Sequence, residues 1–489
     1  MDSFASDSSD PQVTASEERH WTKLILAFVL MFAAINVFAL STADPGVSLE
    51  RQLLGSVSIW LVLPTLIIYI RQTEFRIPFG PILSALHLVY FVRGMFRTDA
   101  SIRLIGFSEG QLTDAAWIAF LGMVGLNLSL WIGMRPSIVR LLPRVEWDLD
   151  TTRKVNRFAF LALFAPALRL AVFVKDALPP GVTMPLYLIT QCLDLFGLIV
   201  LMDTFQGRLR WGGAQWVVLA SIGMSAIVAI GTGLASGPLW LLAVPILAYI
   251  TIKRRVPWLL LTTIAILFVP VLAFRHEFRQ STGWNEYSLD SSFRFVQLIS
   301  RETEERGIEW DKLTTSTSDR FMMDGILAHV VSKTPQEIPF WKGETYLPAL
   351  SMLIPRAIWP GKPALDTGQQ FGHRYSVLDV DDWITSVNLS QLIEVYVNFG
   401  AFAMIPGMFL IGLLELFVWR LFDHGNSQNV LRAMGLSVLT GFLIIESSFT
   451  LAIGSKQLEI PIMFVLVALV SGCGWSQLPS LRRGSAAPE

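Results

Sequence analysis

Twelve apolar runs, most of them long enough to cross a bilayer, constrain this 489-residue chain more than any other feature. About 17–25 predominantly apolar residues span the hydrocarbon core as a helix, because a helix satisfies its backbone polar groups internally. The runs are Lys23–Leu40, Leu53–Ile70, Pro78–Phe96, Ala115–Gly133, Phe158–Val174, Met184–Met202, Ala214–Gly233, Pro238–Ile252, Pro257–Phe274, Val397–Phe417, Leu431–Ile453 and Leu458–Trp475. Arg93 and Arg169 interrupt the third and fifth. The seventh and eighth meet at Gly231, Gly233, Ser236 and Gly237, either as a tight hairpin or as one broken helix, and their glycine spacing suits close helix packing. The expected fold class is all-α, a polytopic integral membrane protein of about twelve transmembrane helices.

Composition agrees and excludes the main alternatives. The chain is 53% hydrophobic and 16% charged, with a mean hydropathy of +0.52. Soluble domains carry about 25% charged residues. A net charge of −1 gives no basic footprint for nucleic acid. Cys192 and Cys473 both lie in apolar runs and form neither a disulfide framework nor a zinc motif. None of the six histidines has metal-ligand spacing, so neither a metal nor a cofactor is expected.

Lys and Arg in short loops orient such a chain. With the N-terminus inside, the inner loops carry Arg71, Arg76, Arg135, Arg140, Arg144, Arg153, Lys154, Arg208, Arg210, Lys253, Arg254, Arg255, Arg420, Arg482 and Arg483. The short outer loops carry only Arg51, Arg93, Arg97, Arg103, Lys175 and Lys456. The expected organisation is a disordered cytoplasmic tail over 1–21, a bundle of about nine helices over 22–274, and an external loop over 275–396. Three last helices over 397–475 and a cytoplasmic tail over 476–489 follow. The first run lacks a small-residue cleavage site and reads as a retained helix. Within the loop, Phe321–Val331 has the pattern of an amphipathic helix, and Tyr346–Trp359 is apolar enough to lie on the membrane.

An external loop of this length implies a purpose. Asp379-Val-Asp-Asp382 superficially resembles the Asp-x-Asp of metal-dependent sugar transferases, but outside the cell it reads as a solvated acidic turn. No phosphate-binding Gly-x-x-x-x-Gly-Lys-Ser/Thr loop is present, and Asn388-Leu-Ser390 is too short a sequon to carry weight. More informative is Phe340 to Pro363, where Pro355, Pro360 and Pro363 stiffen a turn around Arg356, Trp359 and Lys362. Two cations around one aromatic ring fit two readings. One is a phosphate and sugar clamp, with Arg gripping oxygens bidentately and Trp stacking on a sugar face. The other is an interfacial anchor on lipid headgroups.

Here the chain resembles the Wzy-type O-antigen polymerases. The likeness lies in Gly343-Glu-Thr-Tyr346, in Ile354-Pro-Arg-Ala-Ile-Trp-Pro-Gly-Lys-Pro363, and in Thr385-Ser386 followed by Glu394-Val-Tyr-Val-Asn-Phe-Gly400. The resemblance implies an enzyme of the bacterial inner membrane with both termini cytoplasmic. Its reaction transfers a growing glycan from undecaprenyl diphosphate to the non-reducing sugar of a new undecaprenyl-diphosphate-linked repeat unit on the external face. It also implies membrane lipids, a chain-length regulator and a flippase of the same pathway as partners.

That chemistry needs cations for the departing diphosphate, a base for the acceptor hydroxyl and a lipid-accessible groove. Arg356 and Lys362 are the first cation pair, matching the family's Pro-Arg and Lys-Pro positions. Arg275 and Arg279, spaced i, i+4 beyond the ninth run, are the second, with snorkelling anchors as their alternative reading. Glu394, His373 and His276 are considered for the base. Glu394 also reads as a helix-start carboxylate stabilised by the dipole. Trp359, Arg374 and Tyr396 complete the expected sugar and phosphate contacts. Ionisable residues within spans are functional candidates by default, and Arg169, Asp194, Glu446 and Glu459 qualify, with Arg169 expected to line an outward cavity. The rivals are an O-antigen ligase using the same donor, a transporter or flippase of lipid-linked glycans, and a scaffold subunit.

Overall fold

A computed structural model describes residues 11–482 except 73, 99–105, 174–181, 232–235, 283–288, 307–322, 352–353, 355–358, 360, 362–365, 384, 426, 455 and 475–476. It is an all-α membrane-type protein, about 74% helical. The first helices are α1 (Pro11–Ser41), α2 (Leu49–Arg71), α3 (Phe79–Phe91) and α4 (Glu109–Gly133). A strand β1 (Arg144–Glu146) precedes α5 (Val155–Ala162), α6 (Ala165–Phe173), α7 (Thr183–Gln206), α8 (Gly213–Ile230), α9 (Ser236–Lys253) and α10 (Trp258–Thr282). Short helices follow: α11 (Leu289–Arg306), α12 (Asp324–Lys333), α13 (Leu347–Ser351), α14 (Thr367–Arg374) and α15 (Gln391–Phe399). The chain closes with α16 (Met404–Phe422), α17 (Asn429–Leu439), α18 (Phe449–Gly454), α19 (Lys456–Ser471) and β2 (Ser480–Arg482).

Among the described residues, eight helical stretches are long and apolar enough to cross a membrane, and α18 with α19 counts as one of them. Four shorter apolar helices, Phe79–Phe91, Gly237–Lys253, Trp258–Val271 and Asn429–Leu439, fall on the remaining apolar runs. The eleventh run departs from its expected form. Its helix stops at Leu439, and Thr440–Ser448 is not helical. Glu446 in that break accepts from Asn388 Nδ2 at 2.7 Å and Tyr90 Oη at 3.3 Å, bonds that a straight helix through apolar surroundings would not give it. The seventh and eighth runs are two helices, α8 and α9, that pack against each other, which is the hairpin alternative. The polar tail expected over 1–21 is helical from Pro11, with Pro at a first-turn position and Glu17, Glu18 and Arg19 as good helix formers.

Local chemistry sets the helix starts. Ser48 accepts from Arg51 N at the start of α2. Ser108 and Gln111 form a reciprocal capping box on α4. The α4–α16 contact is the most extensive in the bundle and rests on small residues. A Cβ on Gly125 would lie 2.4 Å from the Ile405 carbonyl oxygen, and one on Gly412 2.0 Å from Ser129 Oγ. Only glycine allows this approach, the packing device of membrane helices.

The loops gather at two ends. At one end β1 pairs antiparallel with β2, Arg144 opposite Arg482. Trp147 Nε1 donates to Gln477 O at 2.8 Å, and His424 Nε2 donates to Val145 O at 2.8 Å. Asn429 Nδ2 donates to Asp203 Oδ1 at 2.7 Å, and Arg254 Nη2 to Phe75 O at 2.7 Å. Most of the Lys/Arg-rich inner loops read from sequence therefore meet at this end. At the other end Arg51 pairs with Glu109 at 2.6 Å, Met323 N donates to Tyr90 O at 3.2 Å, and α12 to α15 assemble.

Candidate functional site

The two patterned stretches of the loop fold onto each other. Ser390 Oγ accepts from Ile393 N at 3.2 Å and starts α15. Gly400, at φ +74°, ends it, and a Cβ there would meet the Phe340 ring at 2.7 Å. The last carbonyls of a helix lack internal partners. Trp341 N takes Val397 O at 2.9 Å and Lys342 N takes Asn398 O at 3.1 Å. Gly343, at φ +93°, turns the chain there.

Asn398 locks this docking. Its Oδ1 accepts from Gly343 N at 2.8 Å. Its Nδ2 donates to Thr345 Oγ1 and to Glu394 O, each at 2.7 Å. Tyr346 stacks on Phe399, with ring centroids 6.1 Å apart, and meets Phe449 edge-on at 5.4 Å. Thr450 Oγ1 donates to Thr345 O at 2.6 Å, and Phe449 N donates to Glu394 Oε2 at 2.6 Å. Thus α15, the 341–346 turn and the start of α18 form one hydrogen-bonded platform.

A cleft of about 370 Å³ opens on this platform, walled by Trp341, Glu344, Thr345, Ser351, Trp359 and Asp366, with Gln370 at its edge. Glu344 pairs with Arg374 at 3.5 Å, and the Arg374 guanidinium lies 4.5 Å from the Trp341 ring centroid. Asp366 precedes α14, where Oδ1 accepts from Gln370 Nε2 at 2.7 Å. The cleft therefore offers two carboxylates and two indole rings, the furnishing of a sugar-binding surface. Arg356 and Lys362 lie outside the described residues. Of the described residues around them, Ser351, Trp359 and Asp366 line the cleft, while Ile354 and Gly361 do not.

Several expected site residues sit elsewhere. Glu394 is 0% exposed and does not line the cleft. Burial pushes its carboxyl up to about 7, against the pull of its bonds to Thr345 and Phe449. Its bonds hold the platform together, on a helix buried from Gln391 to Asn398. Tyr396 is buried, with Oη donating to Thr334 O at 3.1 Å, and burial raises it to about 12. His373 stacks on Trp383 at 4.3 Å and is not a cleft wall. Arg275, His276 and Arg279 ride on α10, which continues to Thr282, so the i, i+4 pair shares one helical face, while their side chains lie outside the described part of the structure. No group of three or more His, Cys, Asp or Glu placed to hold a metal occurs among the described residues. Sequence reading missed Asp366 and undervalued Glu344. The one available signal was Asp366 in N-cap position before Thr-Gly-Gln-Gln.

Arg169 belongs to a second recess. Its guanidinium pairs with Asp194 on α7. Both line a cavity of about 350 Å³ among α6, α7, α9 and α17, with Tyr187, Gln191, Trp240 and Lys456. Lys456 Nζ pairs with Glu459 Oε2 at 2.5 Å. The next residue, Gln457, reaches the carbonyl of Ala349 in α13 at 3.5 Å. Gln457 thus links the cavity wall at Lys456 to α13, whose Pro348 and Ser351 line the cleft. The break after α17 supplies Thr440, Gly441 and Ile444 to the cavity wall. Glu446 points away from it, toward Asn388 and Tyr90.

Residues 238–420 match the sequence pattern of a domain of unknown function, DUF8712. That span runs from α9 to α16 and includes every wall of the cleft. No curated protein and no solved structure matches the chain.

Proposed function

We propose that this protein is a membrane glycosyltransferase of the Wzy type that joins lipid-linked oligosaccharide repeat units. The growing glycan leaves undecaprenyl diphosphate and bonds to a hydroxyl of the next undecaprenyl-diphosphate-linked unit. The cleft then faces the external side of the bacterial inner membrane, and the Lys/Arg-rich end, with both termini, faces the cytoplasm. One observation carries the reading: a carboxylate- and Trp-lined cleft is linked through Gln457 and α13 to an apolar cavity whose wall holds the ion-paired Arg169 and Lys456. A sugar joined to a polyprenyl chain through diphosphate needs both.

In this reading Arg356 and Lys362 stabilise the departing diphosphate, whose charge grows in the transition state. The sugar–diphosphate bond already stores the energy, so no nucleotide is needed. Asp366 accepts the acceptor proton, Trp359 stacks on the sugar, and Glu344 with Arg374 orients its hydroxyls. Glu394 and Asn398 are positioning residues. The cavity of Arg169, Asp194 and Lys456 holds the first isoprene units and steers the phosphates toward the cleft.

Glycan analysis of a deletion strain tests the function. Single repeat units on the final acceptor support a polymerase. Accumulated lipid-linked polymer points to a ligase using the same donor, and intermediates trapped on the cytoplasmic side point to a flippase. Cysteine labelling tests the orientation: residues 142–152 react from inside and 300–320 from outside, and the opposite result removes the reaction with the topology.

A further inference from the structure

At the end of the bundle opposite the cleft lies a third recess, of about 480 Å³. Its walls carry Arg76, Arg208, Lys253 and Arg432, and among the described residues no carboxylate lines it. The four cations come from four separate places: the turn after α2, the end of α7, the end of α9, and α17. Ser427 and Gln428 complete the wall at the start of α17, whose first turn adds the positive end of the helix dipole.

The recess is built, not a loose patch of surface charge. Arg432 is only 5% exposed. Its Nε donates to Asp423 Oδ1 at 3.2 Å, and its Nη2 donates to the carbonyls of His424 at 3.1 Å and Gly425 at 3.5 Å. Asp423 is itself fully buried and accepts from the backbone N–H groups of Arg76 and Ile77, each at 2.6 Å. Arg208 stands 3.8 Å from Asp203, which is 1% exposed and also accepts from Asn429. The carboxylates therefore lie behind the wall as supports and leave the cationic faces toward the opening. Asp423 and Asp203 offset two of the four cations, and the positive excess that remains around one concavity attracts an anion.

We infer that this recess binds a phosphate-bearing anion, either the headgroup of an anionic phospholipid or a free phosphate. Its position at the helix ends is where a headgroup lies, and basic pockets between membrane helices take such groups. The site is separate from the cleft and stands whether or not the polymerase reading holds.

The test uses the full-length protein in detergent with lipids removed. Thermal midpoints are measured with phosphatidylglycerol, with phosphatidylcholine, and with inorganic phosphate, for the native chain and for Arg76→Gln with Arg208→Gln. Arg432 is left intact because it holds Asp423. A rise with phosphatidylglycerol but not phosphatidylcholine supports the site with a lipid source, and a rise with inorganic phosphate supports it with a soluble source. Each basic residue near an anionic surface is worth about fivefold in affinity, so the double variant should bind about thirtyfold more weakly. No stabilisation by either anion, or equal stabilisation of the double variant, overturns the inference.

Discussion

Asn398 holds Thr345 by a 2.7 Å hydrogen bond from the same amide nitrogen that bonds back to Glu394 O, so one side chain ties the cleft floor to the helix beneath it. Asn398→Ala leaves Gly343 N without that acceptor and Thr345 Oγ1 without that donor. Each buried group so stranded costs about 1–3 kcal/mol. The expected result is a lower thermal midpoint, protease cleavage within 340–351, and loss of polymer. Asn398→Asp keeps the acceptor for Gly343 but loses both donors, and it should fail as badly. An unchanged protease pattern would show that the docking does not depend on this amide.

Arg356→Ala is expected to abolish polymer while the protein stays at its normal level in the membrane. Losing one preorganised charge donor costs about 10²–10³ in rate. Arg356→Lys should also lose most activity, because an ammonium cannot make a bidentate grip. If Arg356→Ala polymerises normally, the turn is an interfacial anchor, and Arg275 with Arg279 becomes the leading diphosphate site.

Asp366→Asn separates the two base assignments. If Asp366 takes the proton, Asp366→Asn removes turnover while the lipid-linked unit still binds, and the thermal midpoint hardly changes at this partly buried position. Retained turnover in that variant would return the proton to another group.

The ion pair of Arg169 and Asp194 predicts a thermodynamic cycle. Removing one partner of a buried pair costs about 3–5 kcal/mol, since the other charge is left without its neighbour. Arg169→Met and Asp194→Leu should each reduce the amount of folded protein, and the double change should restore it. Restored folding with restored polymer would mean the pair is structural only. Restored folding without polymer would place it on the substrate.

Glu394 should make stability fall as pH rises. Its carboxyl titrates at about 7 in the folded chain and near 4.5 otherwise, so the folded state binds more protons between those values. Below about 4.5 the group is neutral in both states. Through the window up to about 7 the unfolded state ionises first and gains about 3 kcal/mol relative to the fold. Glu394→Gln mimics the neutral acid, so the thermal midpoint of the variant should exceed that of the native chain at pH 8 and match it near pH 4.5. Parallel pH profiles would refute the assignment.

Eight of the helices were legible because hydrocarbon thickness fixes the length of a span, while the other four apolar runs carry shorter helices whose ends hydropathy did not mark. The break at Thr440–Ser448 was not legible, because hydropathy averages over Glu446, Ser447 and Ser448 while the bonds from Asn388 and Tyr90 come from distant segments. In the site, the sequence picked out both patterned stretches, 343–346 and 394–400, as important. It could not say that they pack together, or that α15 turns Glu394 inward. The pattern of a nine-residue helix shows which residues share a face but not that residues 391–398 are buried all round. Asp366 was overlooked because a loop aspartate before a short helix has the signature of an ordinary cap.

The strand pair between Arg144–Glu146 and Ser480–Arg482 joins segments that leave the ribosome at widely separated moments. The bond between Arg169 and Asp194 can close as soon as two successive helical segments have been inserted. β1 has no such nearby mate, and it must wait until α19 has been threaded and the tail behind it released. Assembly of this end is therefore a late, checkable event: a chain halted before Ser480 can own every helix and still lack the clasp that Val145 and Leu481 provide.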